Sequence, residues 1–210
     1  MDASVRTRLS RDDRIEQTLR VAHELFAERG YAAVTMDEIA NAVGVTKPLL
    51  YTYFGNKERL YTACMESDGE ALSATIGEAV GATSSPVDAL GAGVRAFFSF
   101  LDADRDAWAV LFDETLPQSG ELADRVAAYR SLIAELVSTA MMRQLPEPRR
   151  EAMRAEVEAL STALLGAAEA LARWWLRTES LSAEEAAELL IATIEPGLRA
   201  RSETPEREER

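Results

Sequence analysis

Lys47 and Lys57 are the only two lysines in this 210-residue chain; every other base is arginine. Both lie in "GVTKPLLYTYFGNKERL", Gly44 to Leu60, interleaved with Tyr51 and Tyr53. A lysine ammonium can donate to guanine acceptors or to phosphate oxygens, and tyrosine hydroxyls beside it suit phosphate. Pro48 follows Lys47 directly. In the first turn of a helix a proline loses no hydrogen bond, so it marks a helix beginning rather than a break. With Thr46 as the capping residue, Lys47, Pro48 and Leu49 stand at the helix's leading end. Pro48 and Leu49 can then meet thymine methyl groups while Lys47 reaches guanine or phosphate. Leu50 and Phe54, four residues apart, face the core and leave Leu49, Tyr51 and Tyr53 nearer the surface.

The elements that must position these side chains are legible just upstream. Thr35 with Glu38 forms a capping box that opens a short helix through Ile39 and Ala42 to Val43, and Gly44 can take the left-handed conformation that ends it. Two short helices joined by a glycine turn make a helix-turn-helix, whose second helix can present its N-terminal side chains to base edges in a major groove. The Thr35 hydroxyl, Tyr51, Tyr53 and Lys57 suit phosphate, and the helix N-termini at Met36 and Lys47 add backbone N–H donors for the same anion. Any one of these residues is ordinary packing or an ordinary surface charge; the combination is what points to nucleic acid. Before them, Ser10 with Asp13 opens a first helix with a stripe at Ile15, Leu19, Ala22 and Phe26 that stops at Gly30. Arg6, Arg8 and Arg11 form a basic leader, read as solvated or as an arm for an adjacent minor groove.

The net charge of −13 does not oppose this reading, because it is unevenly spread. Of the 23 bases and 36 acids, nine of each fall in the first sixty residues, so the whole acidic excess lies beyond them. Whole-chain charge speaks to solubility, whereas a binding face is local. Hydrophobic content of 47% suffices for a sizeable core. Abundant alanine and scarce alternating β-branched runs favour helices. No run approaches the roughly 18 apolar residues of a membrane span, and the N-terminus lacks the pattern of a secretory signal. The single cysteine, Cys64, reads as core filler in a cytoplasmic protein. With one cysteine and one histidine, His23, no metal-ligand set or nucleophilic dyad is assembled.

The run from Gly30 to Tyr61, "GYAAVTMDEIANAVGVTKPLLYTYFGNKERLY", preceded by "LFAER", resembles the DNA-binding segment of the TetR/AcrR family of transcriptional regulators. The resemblance implies that Thr35, Thr46, Lys47, Leu49, Tyr51, Tyr53 and Lys57 occupy positions that commonly touch DNA. It also implies pairing of two C-terminal helices from each subunit and an inducer held in the middle of the chain.

Beyond Asn56 the signals remain helical. A long fourth helix reaches "GATSSP"; Ser85 and Pro86 open a fifth; Asp104 caps a short sixth, "RDAWAVLFDE". A seventh runs roughly from Leu122 to Arg143, and an eighth about from Arg149 to Arg177. Ser182 with Glu185 caps a ninth, which Pro196 kinks or ends. The expectation is an all-α chain of nine helices in two parts: residues 1–56, a helix-turn-helix domain; residues 57–200, a ligand-binding and dimerisation domain; residues 201–210, a charged disordered tail.

Aromatic residues gather in the middle, and Phe97, Leu101, Trp108, Phe112, Tyr129 and Trp174 are candidates to line an apolar ligand site. Asp113, Glu114 or Glu169 would serve a cationic ligand. Along the eighth and ninth helices Val157, Leu160, Leu164, Leu171, Ala186, Leu190 and Thr193 form a seam, which either packs inside one subunit or joins two. The reading is a homodimeric, ligand-responsive regulator, a repressor released from a palindromic DNA operator by a small apolar or cationic molecule, without a cofactor or catalytic role. Its alternatives are a regulator controlled by a protein partner or by no ligand, and a helical enzyme with a vestigial DNA-binding motif.

Overall fold

The computed structural model describes residues 10–203 apart from Ser84, Pro146 and Glu179. The readings made for Arg6, Arg8 and residues 204–210 therefore lie outside it. Among the described residues there are nine helices and no strand: α1 (Arg11–Ala33), α2 (Met36–Val43), α3 (Lys47–Phe54), α4 (Lys57–Gly81), α5 (Pro86–Ala103), α6 (Arg105–Leu111), α7 (Glu121–Gln144), α8 (Glu147–Thr178) and α9 (Ala183–Glu203). The expected helix starts hold. Ser10 and Asp13 form a reciprocal capping box, Ser85 accepts from the Asp88 N–H, and the Ser182–Glu185 box opens α9. Pro196 does not end α9, which continues to Glu203, so the first three residues assigned to the tail are helical.

The chain divides into two compact units, and the division differs from the expected one at Asn56. One unit runs through Glu70 and takes in Asp104–Arg125, so that it holds α1 to α3, the first part of α4, and α6. The physical reason is aromatic. Tyr61 of α4 is fully buried against Phe26 and Tyr31 of α1, with ring centroids 4.9 and 5.2 Å away, and its hydroxyl donates to the Val110 carbonyl of α6. A buried phenol needs such an acceptor.

Gly30 lets the loop after α6 close on α1. Its φ of 74° and ψ of 160° break the helix. The freed N–H groups of Tyr31 and Ala32 donate to the Asp113 carboxylate at 2.5 Å and the Thr115 hydroxyl at 3.2 Å. A Cβ at Gly30 would stand 2.8 Å from that same hydroxyl oxygen, and positive φ itself disfavours other residues. Cys64 is buried as expected, and burial pushes its thiol up to about 12.

The second unit holds Ala71–Ala103 and the chain from Val126 onward. Here α5 packs chiefly on α9, and α8 packs on α9 as well. Leu90, Val94, Phe97, Phe98 and Leu101 from α5 are buried, as are Ala186, Ala187, Leu190 and Ile191 from α9. Trp175 of α8 meets the Phe98 ring edge-on at 5.7 Å and donates its indole N–H to the Leu181 carbonyl. No helix among the described residues is long and apolar enough to cross a membrane.

Candidate nucleic-acid interface

The geometry of α2, the turn and α3 begins with Thr35. Its hydroxyl accepts from the Glu38 N–H at 3.3 Å and donates to the Glu38 carboxylate at 2.7 Å, while the Thr35 N–H donates to the same oxygen at 2.8 Å. Arg29 takes the other Glu38 oxygen at 2.8 Å. The Thr35 hydroxyl and then the Arg29 guanidinium hold the Glu38 carboxyl down at about 2. Gly44 adopts the left-handed conformation (φ 77°, ψ 34°), and its N–H reaches the Ala40 and Asn41 carbonyls. Val45 N–H also returns to Ala40, which satisfies the last turn of α2.

Thr46 occupies the capping position of α3, but its side chain makes no capping hydrogen bond; its carbonyl alone accepts from Leu49 and Leu50. The expectation that the Thr46 hydroxyl caps this helix is therefore corrected. With Pro48 in the first turn, one orphan N–H has already been removed, so the hydroxyl has less to satisfy. Leu50 is fully buried, as Ile39 of α2 is, whereas Phe54, expected in the core, is only half-buried. Thr46, Lys47, Pro48, Tyr51 and Thr52 are exposed and Leu49 is half-buried, so α3 is anchored on one side and open along its leading turn. Tyr51, at 41% exposure, is an aromatic ring left outside. Tyr53 is half-buried, with the Arg11 guanidinium 5.9 Å from its ring centroid.

The two lysines behave differently. The Lys47 ammonium rests 2.7 Å from an Asp37 oxygen at the surface, and that carboxylate raises its pKa. Lys57 points inward: its ammonium donates to the Tyr31 carbonyl at 2.9 Å and the Val34 carbonyl at 3.0 Å, and lies 4.0 Å from the centre of the Tyr31 ring. Burial lowers its pKa. Lys57 thus ties the start of α4 to the α1–α2 link, a role that sequence spacing did not reveal. The Asp113 carboxylate, a candidate for a cationic ligand, accepts from the Tyr31 and Thr115 N–H groups. Glu169 stands 3.6 Å from Arg130. His23 of α1 bonds Asp68 of α4 at 2.9 Å, a partner that nothing near it in sequence announced.

The six residues expected around a ligand are not gathered within one unit. Trp108 and Phe112 stack at 4.0 Å in the first unit, whereas Phe97, Leu101, Tyr129 and Trp174 belong to the second. Phe97 and Leu101 are core, and Trp174 is 39% exposed while its neighbour Trp175 is buried. A groove of about 330 Å³ in the second unit runs between α7 and α8 past Ser138, Thr139, Met142, Arg143, Arg150 and Arg154, and includes none of the six. The expected dimer seam also mixes two faces. Val157, Ala186 and Leu190 are buried within the subunit. Leu160, Leu164 and Leu171 are half-buried and Thr193 is exposed. The outward face of α8 instead carries Ala159, Ala163, Gly166, Ala170 and Trp174; that of α9 carries Leu189, Ala192, Thr193 and Pro196. Among the described residues no group of three or more His, Cys, Asp and Glu is placed to hold a metal ion.

With this geometry in view, the comparisons with known proteins converge. Residues 19–64 match the family model described as bacterial regulatory proteins, tetR family, and residues 86–195 match that of a tetracyclin repressor-like C-terminal domain. The chain is 32% identical over 172 residues to the HTH-type transcriptional activator FasR of Mycolicibacterium smegmatis, covering 82% of this chain and 76% of that protein. A TetR-like transcriptional regulator from Rhodococcus superposes with a TM-score of 0.72 at 28% identity, over 91% of this chain and 99% of its own. AibR, solved in complex with isovaleryl coenzyme A and operator DNA, shares the fold with a TM-score of 0.67 at 23% identity, over 87% and 98%.

Proposed function

The chain belongs to the TetR family of bacterial regulatory proteins, DNA-binding transcriptional regulators, and from that premise we propose that it acts as a homodimer whose two α3 helices read the half-sites of a palindromic operator, released by a small apolar molecule. The observation that carries this reading is the leading turn of α3: Thr46, Lys47, Pro48 and Tyr51 are exposed on a helix whose opposite side is pinned by a fully buried Leu50. In this reading Lys47, Pro48 and Leu49 meet base edges, and Thr35, Thr46, Tyr51 and Tyr53 contact phosphate and sugar. Lys57 supports the phosphate contacts chiefly by holding the α1–α2 link in place.

One eight-residue helix makes few base contacts, so discrimination needs two copies about one turn of DNA apart, roughly 34–36 Å. The outward small-residue faces of α8 and α9, with Leu160, Leu164, Leu171, Trp174, Leu189 and Thr193, supply the pairing surface, because small side chains let helices approach closely. An effector would seat its apolar part against Phe97, Leu101 and Tyr129 in the second unit. It would change operator affinity only by the difference in its own affinity for the DNA-competent and DNA-incompetent conformations. Repression is the favoured sign. Activation is the second reading, favoured by the FasR relative, which is an activator.

The test is selection of duplexes from a random-sequence library by the purified chain, followed by sedimentation of the complex. A palindromic consensus bound by two chains is expected, with Trp174→Glu and Leu189→Glu yielding monomers that lose it. An asymmetric consensus, or no enrichment, contradicts the reading.

A further inference from the structure

We propose that Asp37 is a specificity-determining residue: it holds Lys47 and releases it fully only to a G·C base pair. This rests on the DNA-binding reading above and deepens it. Asp37 is the second residue of α2 and Lys47 the first of α3, so the turn brings two helix starts together. The ammonium lies 2.7 Å from one Asp37 oxygen and 2.9 Å from the other, so it bridges the carboxylate. The two side chains are 51% and 59% exposed, which places the pair on the open surface around the α3 leading turn. The neighbouring carboxylate, Glu38, is used by Thr35 and Arg29 and does not compete for Lys47.

Any acceptor that reaches the Lys47 ammonium arrives within a few ångströms of the Asp37 carboxylate. At physiological salt, charges closer than about 8 Å are only partly screened. A phosphate offered to Lys47 therefore exchanges one anion for another and leaves Asp37 facing it. A G·C pair resolves the conflict. Guanine O6 and N7 accept from lysine, and the cytosine amino group donates to a carboxylate. Donor and acceptor heads one hydrogen-bond length apart match the donor and acceptor edges of that pair. Asp37 accordingly lowers affinity for DNA in general and favours sites with G·C at this position.

The experiment compares the full chain with Asp37→Asn and Asp37→Glu. The probes are a duplex selected by the unmodified chain and an unselected random-sequence duplex, titrated from 50 to 200 mM salt. Removing one negative charge from the interface steepens the log–log salt slope for the unselected duplex by about 0.9, so affinity falls about three- to four-fold more across that range. Asp37→Asn should bind the unselected duplex more tightly and reduce its preference for the selected one about five-fold or more. Asp37→Glu, which keeps the charge, should retain most of the preference. Melting temperature should hardly move, because an exposed ion pair contributes little to folding. Unchanged preference and slope in Asp37→Asn, or equal weakening on both duplexes, would overturn the inference while leaving the DNA-binding reading intact. Failure of the unmodified chain to bind any duplex would instead remove that reading and this one with it.

Discussion

In the unit that carries α3, helix ends are tied by particular polar groups. Glu38 is shared by Thr35 and Arg29, Lys57 bridges two carbonyls, and Asp113 receives the N–H that Gly30 frees. In the unit of α5, α8 and α9, cohesion comes mainly from apolar rings and alanines: Phe98 against Trp175, and Ala172, Ala186 and Leu190 in the core. Hydrogen bonds are directional and fix where a surface points, whereas apolar burial is not and tolerates rearrangement at similar volume. A face proposed to match a rigid duplex is supported by the first kind of contact. A region proposed to adapt to an effector is built from the second.

Core truncations give the largest effects and test whether both units depend on burial. Phe98→Ala should lose about 3–5 kcal/mol and Leu50→Ala about 2–5 kcal/mol in urea unfolding. Leu50→Ala should also abolish DNA binding, because it removes the anchor of α3. Equal DNA binding by the Leu50→Ala protein under folded conditions would break the contrast.

Lys57→Ala sharpens it. Loss of two charge-assisted hydrogen bonds should lower stability by about 1.5–3 kcal/mol and weaken all duplexes about equally. A change in base preference without loss of stability would mean that Lys57 acts at the DNA itself. Thr35→Ala should remove about 1 kcal/mol through the lost cap. It should also return the Glu38 carboxyl toward its ordinary range, readable by carboxyl titration in NMR spectra.

The smallest effect concerns pH. His23 is raised above 6.5 by its hydrogen bond to Asp68, against the opposing effect of burial, with Asp104 and Asp106 adding to the rise. A raised value in the folded state means that this stabilisation is complete below pH 6.5 and is lost as pH rises through the folded-state value. Thermal melting from pH 6 to 9 should therefore show a decline that His23→Gln flattens. A decline of the same size in the variant would assign it elsewhere.

The first unit was legible because its signals are local. Capping boxes at Ser10 and Thr35, the glycine turn at Gly44 and the proline at Pro48 act within four residues of where they stand. What escaped reading there were pairs separated in sequence: His23 with Asp68, Tyr31 with Asp113, and Lys57 with Val34. The second unit gave up its helices but not their faces. On α8, Val157 and Leu160 lie in one apolar pattern, yet the first is buried and the second half-buried, because contacts with helices distant in sequence, not spacing alone, decide which side turns inward. Trp174 and Trp175 make the same point. Adjacent identical residues met opposite fates, and periodicity over a 32-residue helix left that choice open.

Backbone hydrogen exchange of the full chain, alone and with its selected duplex, tests the central claim most directly. Protection concentrated in α2 and in the leading turn of α3, at Met36–Asp37 and Lys47–Thr52, is the predicted result. Protection confined to α7, α8 or α9, with the α3 amides unchanged by DNA, would contradict it.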